Sequence, residues 1–273
     1  MLMTFFLLAC AGEPEAPAVT VDPYAPPPLP AGLRIDETQQ ALIAIVGHSI
    51  EADQVGDWIG MAADEVELRE RLFAGSVVPI EAMTLRAGPW SPEAVKLLVG
   101  SPELETLVRL EATGAELGPE GGATLLAAPW LAHVEQLGLG GCGLDDAAVA
   151  VLGAQPELGQ LSELSLASNG LSWSAVHALM GAKALRKLTR LDLSGNAIGD
   201  RGTKELAASA RSGTLVYVDL RDNGITDKGA LNLASARSLA DLETLDLRGN
   251  RITRKGRDAL LVAYSEDRVL LDP

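Results

Sequence analysis

Apolar residues return at a fixed 27-residue interval through the C-terminal two thirds of the chain. The clearest copy is Leu188-Thr-Arg-Leu191-Asp-Leu193-Ser-Gly-Asn196-Ala-Ile198, and the same phrase starts again at Leu161, Leu215 and Leu242. Carried in both directions, the register puts first positions at Ile80, Leu107, Val134, Leu161, Leu188, Leu215 and Leu242. Fourth positions are Met83, Leu110, Leu137, Leu164, Leu191, Val218 and Leu245, and sixth positions are Leu85, Ala112, Leu139, Leu166, Leu193, Leu220 and Leu247. Apolar residues alternating with polar ones over so few positions predict a short strand. A constant internal period of this size predicts a stack of identical units.

The second half of each unit keeps step. Eleven residues after each phrase begins stand Ser91, Gly118, Asp145, Ser172, Gly199, Thr226 and Thr253, all residue types that favour a helix N-cap. Pro92 and Pro119 follow two of them, at the N1 position that proline prefers. Seven residues beyond each cap comes a leucine: Leu98, Leu125, Leu152, Leu179, Leu206, Leu233 and Leu260. Each unit therefore predicts a strand, a turn and a helix of about ten residues whose leucine faces the strand. Val269-Leu-Leu271 begins an eighth strand.

This pattern resembles the leucine-rich repeat of the ribonuclease-inhibitor type. The resemblance covers residues 80–268 of a domain set at 80–273. It implies an α/β solenoid, a short horseshoe of seven 27-residue strand–turn–helix repeats with its parallel sheet on the concave face. Seven strands at about 4.8 Å spacing give a face roughly 30 Å across. The ninth position carries Asn169, Asn196, Asn223 and Asn250, whose amides can bond the main chain of the turn. Gly88, Ala115 and Cys142 stand there in the first three repeats, which are therefore expected to be less regular. Cys142 reads as a small buried substitute rather than a redox thiol.

The preceding residues do not follow the repeat. Residues 33–79 read as a helical N-terminal cap, with a capping box at Asp36-Glu-Thr-Gln39, an apolar face at Leu42, Ile45, Val46 and Ile50, and a second helix over residues 64–73. Residues 13–30 hold Pro14, Pro17, Pro23, Pro26, Pro27, Pro28 and Pro30, an extended semi-rigid spacer. The apolar stretch from Met1 to Ala9 is too short to span a bilayer, and it resembles a bacterial lipoprotein signal peptide. Leu7-Leu8-Ala9-Cys10 matches the lipobox, whereas the basic residues that usually open such a signal are missing. The resemblance implies a signal at 1–9, a lipidated Cys10 and a Pro-rich tether over 10–32, with localisation in the cell envelope. Ala11, rather than Asp, follows the cysteine, and resemblance to the sorting pattern of enteric bacteria implies the outer membrane over the inner. A secreted or cytoplasmic protein is the alternative.

Composition narrows the chemistry. A net charge of −15 disfavours nucleic acid and anionic lipid surfaces, so membrane contact is expected through the lipid anchor only. The charge is uneven: residues 1–79 and 80–182 each carry −9, and residues 183–273 carry +3. With Cys10 lipidated, Cys142 has no disulfide partner. His48, His133 and His177 are isolated, without the spacing that binds a metal. Gly138-Leu-Gly140-Gly141-Cys-Gly143 is glycine-rich but falls at a strand-to-helix turn, and no phosphate loop or nucleophile elbow is present in the sequence. No catalytic residue, cofactor or small-molecule substrate is indicated.

Function is expected on the sheet face, where side chains alternate with the core leucines. Arg190, Asp192, Tyr217, Asp219, Arg221, Thr244, Asp246 and Arg248 form an acidic column beside a basic one, while Gly138, Gly140, Ser165 and Ala167 make the earlier repeats bland. Tyrosine and arginine are the residues that carry binding energy at protein interfaces. The expected function is a non-enzymatic protein-binding module held at the envelope, its partner unidentified. Two alternatives remain: a regulator of a small GTPase, since its activators share this repeat type, or a structural envelope component without a specific ligand.

Overall fold

The computed structural model describes residues 81–85 and 88–272. The signal, tether and helical-cap readings, Cys10 and Ile80 lie outside them. Strands β1 (Ala82–Thr84), β3 (Arg109–Glu111), β5 (Gln136–Gly138), β6 (Glu163–Ser165), β7 (Arg190–Asp192), β8 (Tyr217–Asp219), β9 (Thr244–Asp246) and β10 (Val269–Leu270) form one parallel sheet in that order. Helices α1 (Pro92–Val99), α2 (Gly118–Leu126), α3 (Asp146–Ala154), α4 (Trp173–Gly181), α5 (Gly199–Ala208), α6 (Asp227–Ala234) and α7 (Arg254–Ala263) each connect one of these strands to the next.

Register follows the repeat: Met83, Leu110, Leu137, Leu164, Leu191, Val218 and Leu245 pair in succession across the sheet. The eighth strand forms, but Val269 rather than Asp272 pairs with Leu245, so the last step is three residues short. Every described first, fourth and sixth position is at most 2% exposed, as are the seven helix leucines. Full burial of such a side chain is worth about 1.5–3 kcal/mol. The core is thus one aliphatic column between sheet and helices.

Five of the seven expected caps act as such. Ser91, Asp145, Ser172, Thr226 and Thr253 each accept a main-chain N–H from the first turn of their helix. Gly118 and Gly199 instead begin α2 and α5 at φ 66° and 57° and bring no side-chain cap. Their N–H groups donate to Cys142 O and Asn223 O of the next repeat, both at 3.0 Å.

The ninth-position asparagines work between repeats as well as within them. Asn196 Oδ1 accepts N–H bonds from Asn169 and Leu171 of the preceding repeat, while its Nδ2 donates to Leu166 O, Leu193 O and Ser194 O. Asn169, Asn223 and Asn250 repeat the arrangement. Cys142 continues it with a weaker donor: its thiol reaches Ala112 O at 2.9 Å, thirty residues back, as Asn169 Nδ2 reaches Leu139 O. Burial pushes the pKa of that thiol up to about 12.

Sheet register is unbroken through the first three repeats, so their departure is confined to the turns. There β2 (Gly88–Pro89) pairs in parallel with β4 (Ala115–Glu116), and direct main-chain pairing replaces the absent amide.

Candidate functional site

Pleating sends the third and fifth residue of each phrase out of the sheet, opposite the core. The third-position row reads Arg109, Gln136, Glu163, Arg190, Tyr217, Thr244, and the fifth-position row reads Glu111, Gly138, Ser165, Asp192, Asp219, Asp246. Seventh-position residues, among them Arg221 and Arg248, flank these rows.

The eight residues expected here all lie on this face, in unequal states. Asp219 and Asp246 are buried, Asp192, Tyr217 and Thr244 are half-buried, and Arg190 is exposed. Directly opposed carboxylates on neighbouring strands repel, and two arginines offset that repulsion. Arg221 donates from Nε to both oxygens of Asp219, places Nη2 2.7 Å from Oδ2, and reaches Asp246 at 3.5 Å. Arg248 grips Asp246 in the same way, with Nη2 2.5 Å from Oδ2. The carboxylates hold both guanidiniums firmly cationic. Asp219, Asp246, Arg221 and Arg248 are therefore one set of forked ion pairs whose carboxylates no longer face solvent.

Tyr217 stands beside these pairs with the guanidinium carbon of Arg190 4.4 Å from its ring centroid, a cation–π contact. Partial burial and the neighbouring Asp219, Asp246 and Asp192 carboxylates raise its phenol pKa. Asp192 is satisfied by Ser194 N–H at 2.9 Å and the Ser165 hydroxyl at 3.0 Å.

The earlier half of the face is not bland. Arg109, Glu111, Gln136 and Glu163 line it, and with Arg190, Asp192 and Tyr217 they surround an open depression of about 540 Å³. Gly138 and Ser165 form part of its floor, and Glu111 folds across Gly138, occupying the space of a side chain there. Reading only the fifth and seventh positions of these repeats hides the third-position row, which the same alternation rule identifies. Among the described residues no group of three or more His, Cys, Asp or Glu is placed to hold a metal, and no helix is long and apolar enough to cross a membrane.

Residues 184–207, 212–234 and 239–261 match the family model described as Leucine Rich repeat. The described fold is that of a leucine-rich-repeat solenoid. Among solved structures it is similar to an internalin (inlF) of Listeria monocytogenes, with a TM-score of 0.52 and 18% identity over 77% of this chain and 51% of the internalin. The chain thus spans about half the length of that relative, and the likeness is one of fold. An internalin C2 of the same organism gives a TM-score of 0.49 and 20% identity over 78% of this chain and 86% of the other. No curated protein matches the sequence.

Proposed function

We propose that this chain is a non-enzymatic, protein-binding leucine-rich-repeat module of the ribonuclease-inhibitor type, tethered to the outer membrane of a cell envelope through a lipid on Cys10. The observation that carries the binding reading is the concave face itself. Its solvent side presents Arg109, Glu163, Arg190 and Tyr217 around an open depression, and tyrosine and arginine are enriched among the residues that dominate binding energy at protein interfaces. Rigid strands hold these side chains at fixed spacing, which limits the entropy lost when a partner docks. The tether reading rests on the lipobox-like Leu7-Leu8-Ala9-Cys10 and the proline-rich stretch after it.

Crosslinking of the full chain in its native membranes, followed by mass spectrometry, tests the binding reading. One enriched partner is expected, and it is lost when Arg109, Arg190 and Tyr217 are changed to alanine without a change in circular dichroism. Capture that survives this triple variant and an Arg109/Glu163/Arg190 variant places binding elsewhere. Palmitate labelling that depends on Cys10, with an intact mass showing cleavage before it, tests the tether. An unprocessed cytosolic chain removes the envelope reading and leaves the GTPase-regulator alternative open.

A further inference from the structure

The two halves of the concave face differ in what they leave for a partner. Over β8 and β9, Asp219 and Asp246 are already gripped by Arg221 and Arg248, so a partner must break an ion pair to use either charge. Over β3 to β7 the third-position row is open. Glu163 lies directly across from Arg190, yet Arg190 turns to stack on Tyr217 and makes no ion pair with it. Among the described residues, the side chains of Arg109, Gln136 and Glu163 have no hydrogen-bond or ion-pair partner either. Opposite charges can engage these groups without displacing an existing protein partner.

The order and spacing of this row define the complement. Strands lie about 4.8 Å apart, so Arg109 and Glu163 are roughly 10 Å apart along the sheet and Glu163 and Arg190 roughly 5 Å. An extended chain advances about 3.3 Å per residue. Building on the protein-binding reading above, we propose that the partner contributes an extended segment that crosses the strands over repeats two to five. Its charges run acidic, basic, acidic against Arg109, Glu163 and Arg190 at alternate positions, because only every second side chain of an extended segment faces the sheet, and four residues span about 13 Å against about 14 Å for the three strand steps. The stacked guanidinium of Arg190 is already oriented and keeps its edge for a carboxylate. Glu111 covers Gly138, so the room for the segment's intervening side chains lies over Ser165.

Fluorescence anisotropy at low salt tests this with two labelled ten-residue peptides of identical composition. One is ordered acidic, basic, acidic at that spacing, and the other has its basic residue moved to one end. The ordered peptide is expected to bind the full chain roughly tenfold tighter, the combined effect of three exposed pairs. Glu163→Lys removes the preference, and Arg109→Glu with Arg190→Glu abolishes binding of the ordered peptide, with circular dichroism unchanged. Equal binding of the two peptides, a preference that survives Glu163→Lys, or no binding of either overturns the proposal. Binding lost in Arg221→Ala/Arg248→Ala but kept in Arg109→Glu overturns this placement while leaving the protein-binding reading intact.

Discussion

Asp200, in the first turn of α5, caps the helix of the following repeat through Thr226. Its Oδ2 accepts the Thr226 hydroxyl at 2.7 Å, and its Oδ1 accepts the N–H groups of Thr226 at 2.8 Å and Gly229 at 2.9 Å. Asp227 repeats the arrangement toward Thr253 and Gly256, and Asp146 toward Ser172. Each of these carboxylates sits near the positive ends of two helix dipoles, its own and its neighbour's. Trp173 occupies the equivalent position in the fourth repeat, where it lies 3.2 Å under the Arg201 guanidinium and the next helix starts at a glycine. Helix packing along the solenoid is thus coupled to helix capping.

This coupling predicts non-additive mutations. Asp200→Ala and Thr226→Ala each remove one side of a charge-assisted contact and are expected to cost about 1–2 kcal/mol. The double variant should cost clearly less than the two singles together. Urea unfolding of the four proteins in a double-mutant cycle measures it, and strict additivity rules out the coupling.

The same geometry demands glycine at position 229. A Cβ there would lie 2.5 Å from Ile225 Cγ2 and 2.6 Å from Asp200 Oδ1. Alanine is ordinarily the better helix former by roughly 1 kcal/mol. Gly229→Ala is nevertheless expected to destabilise by about 1–3 kcal/mol, because the added methyl displaces the Asp200 carboxylate or the Ile225 side chain. Gly181→Ala, where an added methyl would meet only open space, serves as the control and should be neutral or stabilising in thermal unfolding.

Cys142 supplies a pH-dependent test. Its thiol is raised from an ordinary 9.0 to about 12 because burial disfavours the thiolate. Below pH 9 both folded and unfolded chains keep the proton, so its contribution to stability is fully present. Between about 9 and 12 the unfolded chain ionises first and binds fewer protons, so stability falls as pH rises. Cys142→Ala is expected to make that alkaline decline shallower, while losing the bond to Ala112 O. Tyr264, likewise raised to about 12 by burial, keeps part of the slope in place. In a Cys10→Ser background, labelling by a thiol-reactive disulfide should wait for global unfolding. Rapid labelling of the native chain contradicts this assignment.

Periodicity alone locates the first seven strands of the main sheet and the leucine layers beneath them, because a 27-residue step forces the same side chain into the same layer each time, and only the eighth strand falls out of step. What escapes it acts between repeats. Asp200 looks like an ordinary first-turn acid until Thr226 is laid beside it, and Gly118 and Gly199 look like caps until their positive φ shows main-chain bonding in place of a side chain. On the concave face, Asp219 and Arg221 are legible as opposite charges, but their mutual neutralisation depends on a two-residue strand offset and a rotamer. The third-position row is legible from alternation alone. Glu163 and Gln136 are easily passed over because small neighbours, Gly138 and Ser165, dominate those repeats.

The asparagine ladder carries the strongest expectation for stability. Removing the Asn196 amide strands the N–H groups of Asn169 and Leu171 and withdraws a donor from three carbonyls, those of Leu166, Leu193 and Ser194. The carbonyls keep other donors, but each buried N–H left unmet costs about 1–3 kcal/mol, so Asn196→Ala is expected to lose roughly 2 kcal/mol or more. The damage should be directional. Because Oδ1 serves the preceding repeat, hydrogen exchange is expected to accelerate first at the amides of Asn169 and Leu171, while the amides of Asn223 and Ile225, held by Asn250, keep their protection. Acceleration that spreads equally to both neighbours would mean that the amide stabilises its own turn only, and that the repeats are joined by their leucines alone.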